Sequence, residues 1–255
     1  MNCGYCCHSV SNRISQLTYK SNRTPKAESH LETNVTTELK ILLISDTHGT
    51  HWHKNYLTDG EYDVLIHAGD FTNFGRADEV DDFTLWIEHQ EQFKDIIYIA
   101  GNHDLDYQAE PCVALGNGTK LHYLYNSSVT ISGVKFYGSP FTPRFFDWAF
   151  MYDPEDADAI WSQIPDDTDV LITHGPPYGL FDQCPDERGV PAHVGCPVLA
   201  SAIEKIPSIK LHVFGHIHEG YGMKEHANGR VSVNAAVVYR GQRRAPVEFT
   251  VPTGK

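Results

Sequence analysis

Apolar residues in this chain fall into short runs, and each central run stops at a polar cluster that contains a glycine. Leu39 to Ser45 is nearly continuous in apolar side chains, which suits a strand buried on both faces. Tyr62 to Ala68, Ile96 to Ala100, Val170 to Thr173 and Leu211 to Phe214 read the same way. Between them the period changes to that of a helix. Val80, Phe83 and Ile87 share one face of a helix predicted from about Ala77 to Phe93. Ala157, Ile160, Trp161 and Ile164 mark a second, from about Pro154 to Ile164, with the proline at its first position. Leu199, Ala202, Ile203 and Ile206 mark a third.

The alternation of strand and helix predicts an α/β domain. The polar clusters at Asp46, Asp70 and Asn102 lie 24 and 32 residues apart, about one strand-loop-helix-strand unit each. The next step, to His174, is 72 residues and needs extra structure. Leu121 to Tyr125, Val129 to Ser132 and Val134 to Tyr137 are expected to fill it as antiparallel strands. Val231 to Tyr239 and Val247 to Val251 are expected to close the fold. Residues 1 to about 37 are polar and aperiodic and read as a flexible leader, with a single domain from 38 to 255.

Charge and cysteine usage narrow the classes. The formal net charge is −13, from 33 acidic and 20 basic residues, which argues against a surface that tracks nucleic acid. A phosphate substrate stays compatible with that charge, because bound dications supply local positive charge. No run of about 18 apolar residues occurs, so no membrane span is expected. No secretory signal is visible, and the six cysteines do not form a disulfide framework, so a reducing, cytoplasmic location is expected. Cys3, Cys6, Cys7 and His8 could bind zinc or carry palmitate, but a tail without that role is the plainer reading.

The clusters that end the strands carry the chemistry. They are Asp46-Thr47-His48-Gly49, Gly69-Asp70, Gly101-Asn102-His103-Asp104, His174-Gly175 and Gly215-His216-Ile217-His218. Loops at the carboxyl ends of neighbouring strands converge in open α/β sheets, so these side chains can meet. Asp46 and His48 alternate, and in an extended segment both would reach one ion. Asp70 has two oxygens and can bridge two ions. Asn102 adds a neutral oxygen. A mixed N/O shell without Cys disfavours structural zinc and suits Mn, Fe, Zn, Ni or Co. Two such ions about 3.5–4 Å apart can hold a hydroxide that attacks phosphorus. His103 follows Asn102 and points elsewhere, free to protonate a leaving oxygen, with Asp104 a candidate to orient it.

Asp-x-His, Gly-Asp, Gly-Asn-His-Asp, His-Gly and Gly-His-x-His in this order resemble the calcineurin-like metallophosphoesterase superfamily over about residues 39–251. Ala68-Gly69-Asp70-Phe71-Thr72, Tyr137-Gly138-Ser139-Pro140, Thr173-His174-Gly175-Pro176-Pro177, Val194-Gly195-Cys196 and Phe214 to Gly222 are similar to the narrower metallophosphoesterase-domain-containing group. That group is similar to class III cyclic-nucleotide phosphodiesterases. The resemblance implies a four-layer α/β/β/α sandwich, two mixed sheets flanked by helices, with two divalent metals, Mn foremost. It implies Asp46, His48 and His218 on one ion, Asn102, His174 and His216 on the other, and Asp70 bridging. Asn102, His103 and His216 would touch the substrate.

The implied activity is hydrolysis of small, cyclic-nucleotide-like phosphodiesters. The alternatives are a phosphomonoesterase or protein phosphatase and a nucleotide-binding scaffold with little turnover. The Asp-Arg-Gly of the superfamily's protein phosphatases is missing, and Arg76 is only a weak candidate for a phosphate clamp. Phe145, Phe146 and Trp148 could stack on a base, but core packing is the plainer expectation. His67 is a candidate to support a ligand or simply a packed histidine, His212 reads as structural, and Asn234 is a guess for the site.

Overall fold

A computed structural model describes residues 38–57, 60–105, 107–110, 112–185 and 188–253. The leader and its three cysteines lie outside the described residues. Counting only the strands of the two large sheets, the first sheet contains β1 (Glu38–Ile44), β2 (Val64–Ala68), β3 (Asp95–Ile99), β4 (Cys112–Ala114) and β5 (Lys120–Tyr123). The second contains β6 (Ser127–Ile131), β7 (Val134–Ser139), β8 (Val170–Thr173), β9 (Leu211–Phe214), β10 (Gly222–Glu225) and β11 (Val231–Asn234). The last strand, β12 (Val247–Pro252), returns to the first sheet. The helices are α1 (Ala77–Glu88), α2 (Ala157–Trp161) and α3 (Pro197–Lys205).

The spatial orders are β12-β1-β2-β3-β5-β4 and β10-β11-β9-β8-β7-β6. In each sheet the four inner strands are parallel and both edge strands are antiparallel. The parallel strands therefore direct their carboxyl-end loops to one side, where the ligand clusters sit.

Side-chain alternation decides what each sheet face meets. Leu39, Ile41 and Leu43 of β1 point into the core shared with Val170, Ile172, Leu211 and Val213 of the second sheet. Leu42 and Ile44 point outward, against Phe83, Trp86 and Ile87 of α1. Leu171 packs outward against α2 and α3. Both faces are covered, which is why these runs are almost unbroken in apolar residues. The result is the expected four layers.

The departures from the sequence expectation have local causes. The strand expected over Leu121 to Tyr125 pairs parallel to β3, and β4, which was not anticipated, pairs antiparallel to it. Only β6 and β7 form the expected hairpin. The first helix stops at Glu88 because the Gln90 side-chain amide takes the Trp86 carbonyl at 2.7 Å. The second has a 3-10 turn over Pro154–Asp156 before α2, and its buried Ile164 lies beyond the helix. The run from Val231 breaks after Asn234. There the chain leaves the second sheet, and the Val237 N–H donates to Ser45 O of the first at 3.0 Å.

Phe136 is fully buried between the sheets. Phe136→Ala is expected to destabilise the domain by about 3–5 kcal/mol through lost burial and the cavity left behind. Urea unfolding monitored by tryptophan fluorescence measures it; a loss below about 1 kcal/mol would mean that the intersheet core repacks around the gap.

Candidate metal centre

Each ligand cluster leaves its strand through a sharp turn. Asp46, His48, Asp70 and His216 have φ of 55°, 43°, 56° and 65°, a left-handed region that side chains seldom occupy. The segment expected to be extended at Asp46 and His48 is thus a pair of left-handed turns. Backbone pairing between loops holds it: Asp46 N–H donates to Gly69 O, His48 N–H to Asp70 O and Gly49 N–H to Phe71 O, all within 2.9–3.0 Å.

These turns bring the sequence-predicted ligands together from both sheets. Asp46, His48 and His218 form one group, and Asp70, His174 and His216 another, each with its ligand atoms within 4.8 Å of one another. His218 Nε2 lies 3.1 Å from Asp46 Oδ1 and 3.2 Å from His48 Nε2. His174 Nε2 lies 3.0 Å from Asn102 Oδ1. Asp70 joins the groups, with its Oδ2 3.3 Å from His174 Nε2 and 3.8 Å from His48 Nε2. Its other oxygen accepts the His103 N–H at 2.8 Å. One carboxylate oxygen thus faces both groups while the second anchors the carboxylate.

The electrostatics match a cation site. Burial alone would raise Asp46, but its hydrogen bond and charge interaction with His218, with His174 behind, hold it well below the usual carboxylate range. Burial likewise opposes the charge on Asp70, yet His174 and His48 hold it low. His174 is disfavoured as a cation by burial but driven up to about 9 by Asp70. His216 is pushed down to about 4 by burial and by His174. Without ions, the two carboxylates thus favour protons on His174 and, against burial and through its hydrogen bond to Asp46, on His218. A dication replaces those protons, so the donor set fits divalent metals chemically as well as geometrically. His174 Nδ1 donates to Ala68 O at 2.9 Å and turns Nε2 toward the centre.

A sequence model of calcineurin-like phosphoesterases matches residues 39–220. The chain belongs to the calcineurin-like phosphoesterase family. A UPF0046 protein of Caenorhabditis elegans is 37% identical over 239 residues, covering 86% of this chain and 78% of its own. Human metallophosphoesterase domain-containing protein 1 is 34% identical over 241 residues, covering 84% and 71%. A Streptococcus pneumoniae protein described as a phosphoesterase aligns in structure over 84% of each chain, with 14% identity and a TM-score of 0.40. Membership in this family suggests a phosphoric ester hydrolase, and its members typically bind two divalent metals.

Within this phosphoesterase, Asp104 corrects the sequence reading. It does not orient His103. Its Oδ2 accepts the N–H of Gly101 at 2.8 Å and of Asp70 at 2.9 Å, and Oδ1 accepts the N–H and hydroxyl of Thr72 at 2.8 and 2.7 Å. Burial and the charge of Asp70 push it up to about 7, against the pull of these donors. His103 is oriented instead by Asn73, whose carbonyl oxygen accepts from Nδ1 at 2.7 Å. Asn73 also donates to His48 O at 3.1 Å, a role that nothing in the sequence pattern signals. Arg244 donates to His218 O, and Asn234 Nδ2 donates to Ile217 O at 2.8 Å, so both position the last ligand loop. His67 Nε2 lies 3.0 Å from Thr47 Oγ1 and reaches no ligand side chain.

The aromatics after Pro143 are not core. Phe145 and Phe146 are 59% and 75% exposed, and with Trp148, Asp70, His103 and His216 they line a cavity of about 610 Å³. Trp148 lies 4.3 Å from His103 between ring centroids, and Ala149 N–H donates to Asn102 O at 3.1 Å, tying this loop to the ligands. Arg76 stands outside that cavity, beside Asp78 and Glu79 at the start of α1, as ordinary surface charge.

Gly101 is packed directly against two of the ligands. A Cβ there would collide with Asp70 Oδ1, the Asp70 nitrogen and His174 Cε1. Gly101→Ala is expected to lower metal content, measured by plasma emission on purified protein, by at least about half while the circular dichroism stays native. Unchanged metal loading would mean that the ligand positions tolerate this displacement.

Proposed function

We propose that this phosphoesterase is a phosphodiesterase for small nucleotide-like diesters and works with two divalent ions, manganese first among them. The observation that carries the reading is Asp70 Oδ2 facing both ligand groups on the floor of an aromatic-walled cavity. Asp46, His48 and His218 would hold one ion and Asn102, His174 and His216 the other, with Asp70 between them. Ions there would supply Lewis acidity toward the phosphoryl oxygens and an activated water.

The chain's own residues do the rest. The hydrogen bond from His103 Nδ1 to Asn73 O leaves Nε2 for the cavity, where a proton on it would pass to the leaving oxygen. Asn102 and His216 border the same space and would meet the phosphoryl group. Phe145, Phe146 and Trp148 offer apolar faces on which a base can stack. Arg144, the arginine of the cavity wall, is committed to Asp153 at 2.5 Å. A singly charged diester needs less added positive charge than a monoester, which carries nearly two negative charges at neutral pH. That favours the diester over the monoester reading, and the intact ligand set favours turnover over a silent scaffold.

Asp70→Asn is expected to reduce turnover of a bis-aryl phosphodiester by about a hundredfold or more, because the residue common to both groups loses its charge. With manganese present, the wild type is expected to prefer that diester over the corresponding aryl monoester in kcat/KM. Retained activity in Asp70→Asn would defeat the two-ion reading. A monoester preference would defeat the diester assignment alone.

A further inference from the structure

The side chains of the centre gather into one group more than the two described above. His48, Asp70 and His103 also bring ligand atoms within 4.8 Å of one another, the same span as the other two. Two imidazoles and one carboxylate suit divalent first-row metals. His48 already belongs to the first group and Asp70 faces both, so the new member is His103.

His103 is held as a ligand histidine is held. Its backbone N–H donates to Asp70 Oδ1 at 2.8 Å, and its ring Nδ1 donates to Asn73 O at 2.7 Å. A carbonyl only accepts, so the neutral ring carries its lone pair on Nε2. Trp148 packs against the ring at 4.3 Å between centroids. The His48 ring stands edge-on to it at 4.8 Å, and it too spends Nδ1 on a carbonyl, Thr72 O at 3.1 Å. Both rings thus offer Nε2 to a cation, with the other nitrogen fixed by the backbone, which is the usual support of a metal-binding histidine.

His48 Nε2 has one lone pair, so this position and the first exclude each other. The first offers Asp46 and His218 besides His48, with Asp70 alongside, and is the fuller set. Its loosest member is His218. That side chain is 26% exposed, against 0% for Asp46 and 13% for His48, and it opens the short 3-10 turn His218–Gly220. We infer that His48, Asp70 and His103 form an alternative divalent-cation position, to which the first ion moves when His218 is withdrawn. His103 then gives the ion the lone pair that would otherwise take a proton, so both ions are kept and the proton donor is lost. This inference rests on the two-ion reading proposed above.

Metal content of the full chain, loaded with manganese, freed of excess by gel filtration and measured by plasma emission, tests the position. The wild type, His103→Ala and His218→Ala are each expected to hold about two ions per chain, and the double variant His103→Ala with His218→Ala about one. Cobalt gives an independent signature. In cobalt-loaded His218→Ala, the Nδ1 proton of His103, bonded to Asn73 O, is expected as a strongly shifted exchangeable proton resonance that the added His103→Ala removes. Circular dichroism checks that each variant is folded, and His218→Gln replaces His218→Ala if the latter is not. With about two ions in the wild type, a count of about one in the His218 variant, or of about two in the double variant, would overturn the inference alone. A wild type holding about one ion would defeat the two-ion reading and this inference with it.

Discussion

A single buried carboxylate, Asp104, ties the loop after β2 to the loop after β3. It accepts backbone N–H groups from Gly101, Asp70 and Thr72 and the Thr72 hydroxyl. Burying a charge is expensive unless hydrogen bonds compensate, and here the compensation comes from the backbone that must be fixed. The Asp70 left-handed turn persists because its own N–H is held by Asp104 and its Oδ1 by the His103 N–H. Without that clamp, Asp70 Oδ2 would not be held between the two histidine groups.

The same economy runs through the rest of the centre. Four ligands sit at positive φ, and the strain is opposed by loop-to-loop hydrogen bonds rather than by glycine at the ligand position itself. Glycine stands beside them, where a side chain would strike a ligand: Gly101 against Asp70, and Gly215 against Asp46. The parallel strands of both sheets supply a rigid frame behind these turns, so the loops carry geometry that a free loop could not hold.

The cavity over the centre draws on a different part of the chain. Residues 144–150 hang from the short ribbon of Thr142–Pro143 with Met151–Tyr152 and fold back to Asn102 and His103. The exposed phenylalanines and Trp148 give the acidic phosphoesterase an apolar wall at the place where bound cations would reverse the local charge. Specificity and charge neutralisation thus come from separate elements that meet only in the folded domain.

The sequence by itself determined the strands buried on both faces, the helices that cover them and the identity of the side chains gathered at the centre. Each of those rests on local facts: an apolar run, a helical period, or a ligand residue beside a glycine at a strand end. Tertiary structure decided the rest. Leu121 to Tyr123 could not reveal that its partner would be β3, because parallel pairing depends on a strand distant in sequence. Asp104 next to His103 suggested a pair, but the donors of Gly101, Asp70 and Thr72 converge on it only after two strands align. Phe145 and Phe146 had the composition of core residues, and only the ribbon that lifts their loop over Asn102 leaves them exposed. His212, an isolated histidine in an apolar strand, stands in a polar row because register set it level with Ser232 and Lys224. Composition and period name which residues are buried or reactive; long-range pairing decides what they face.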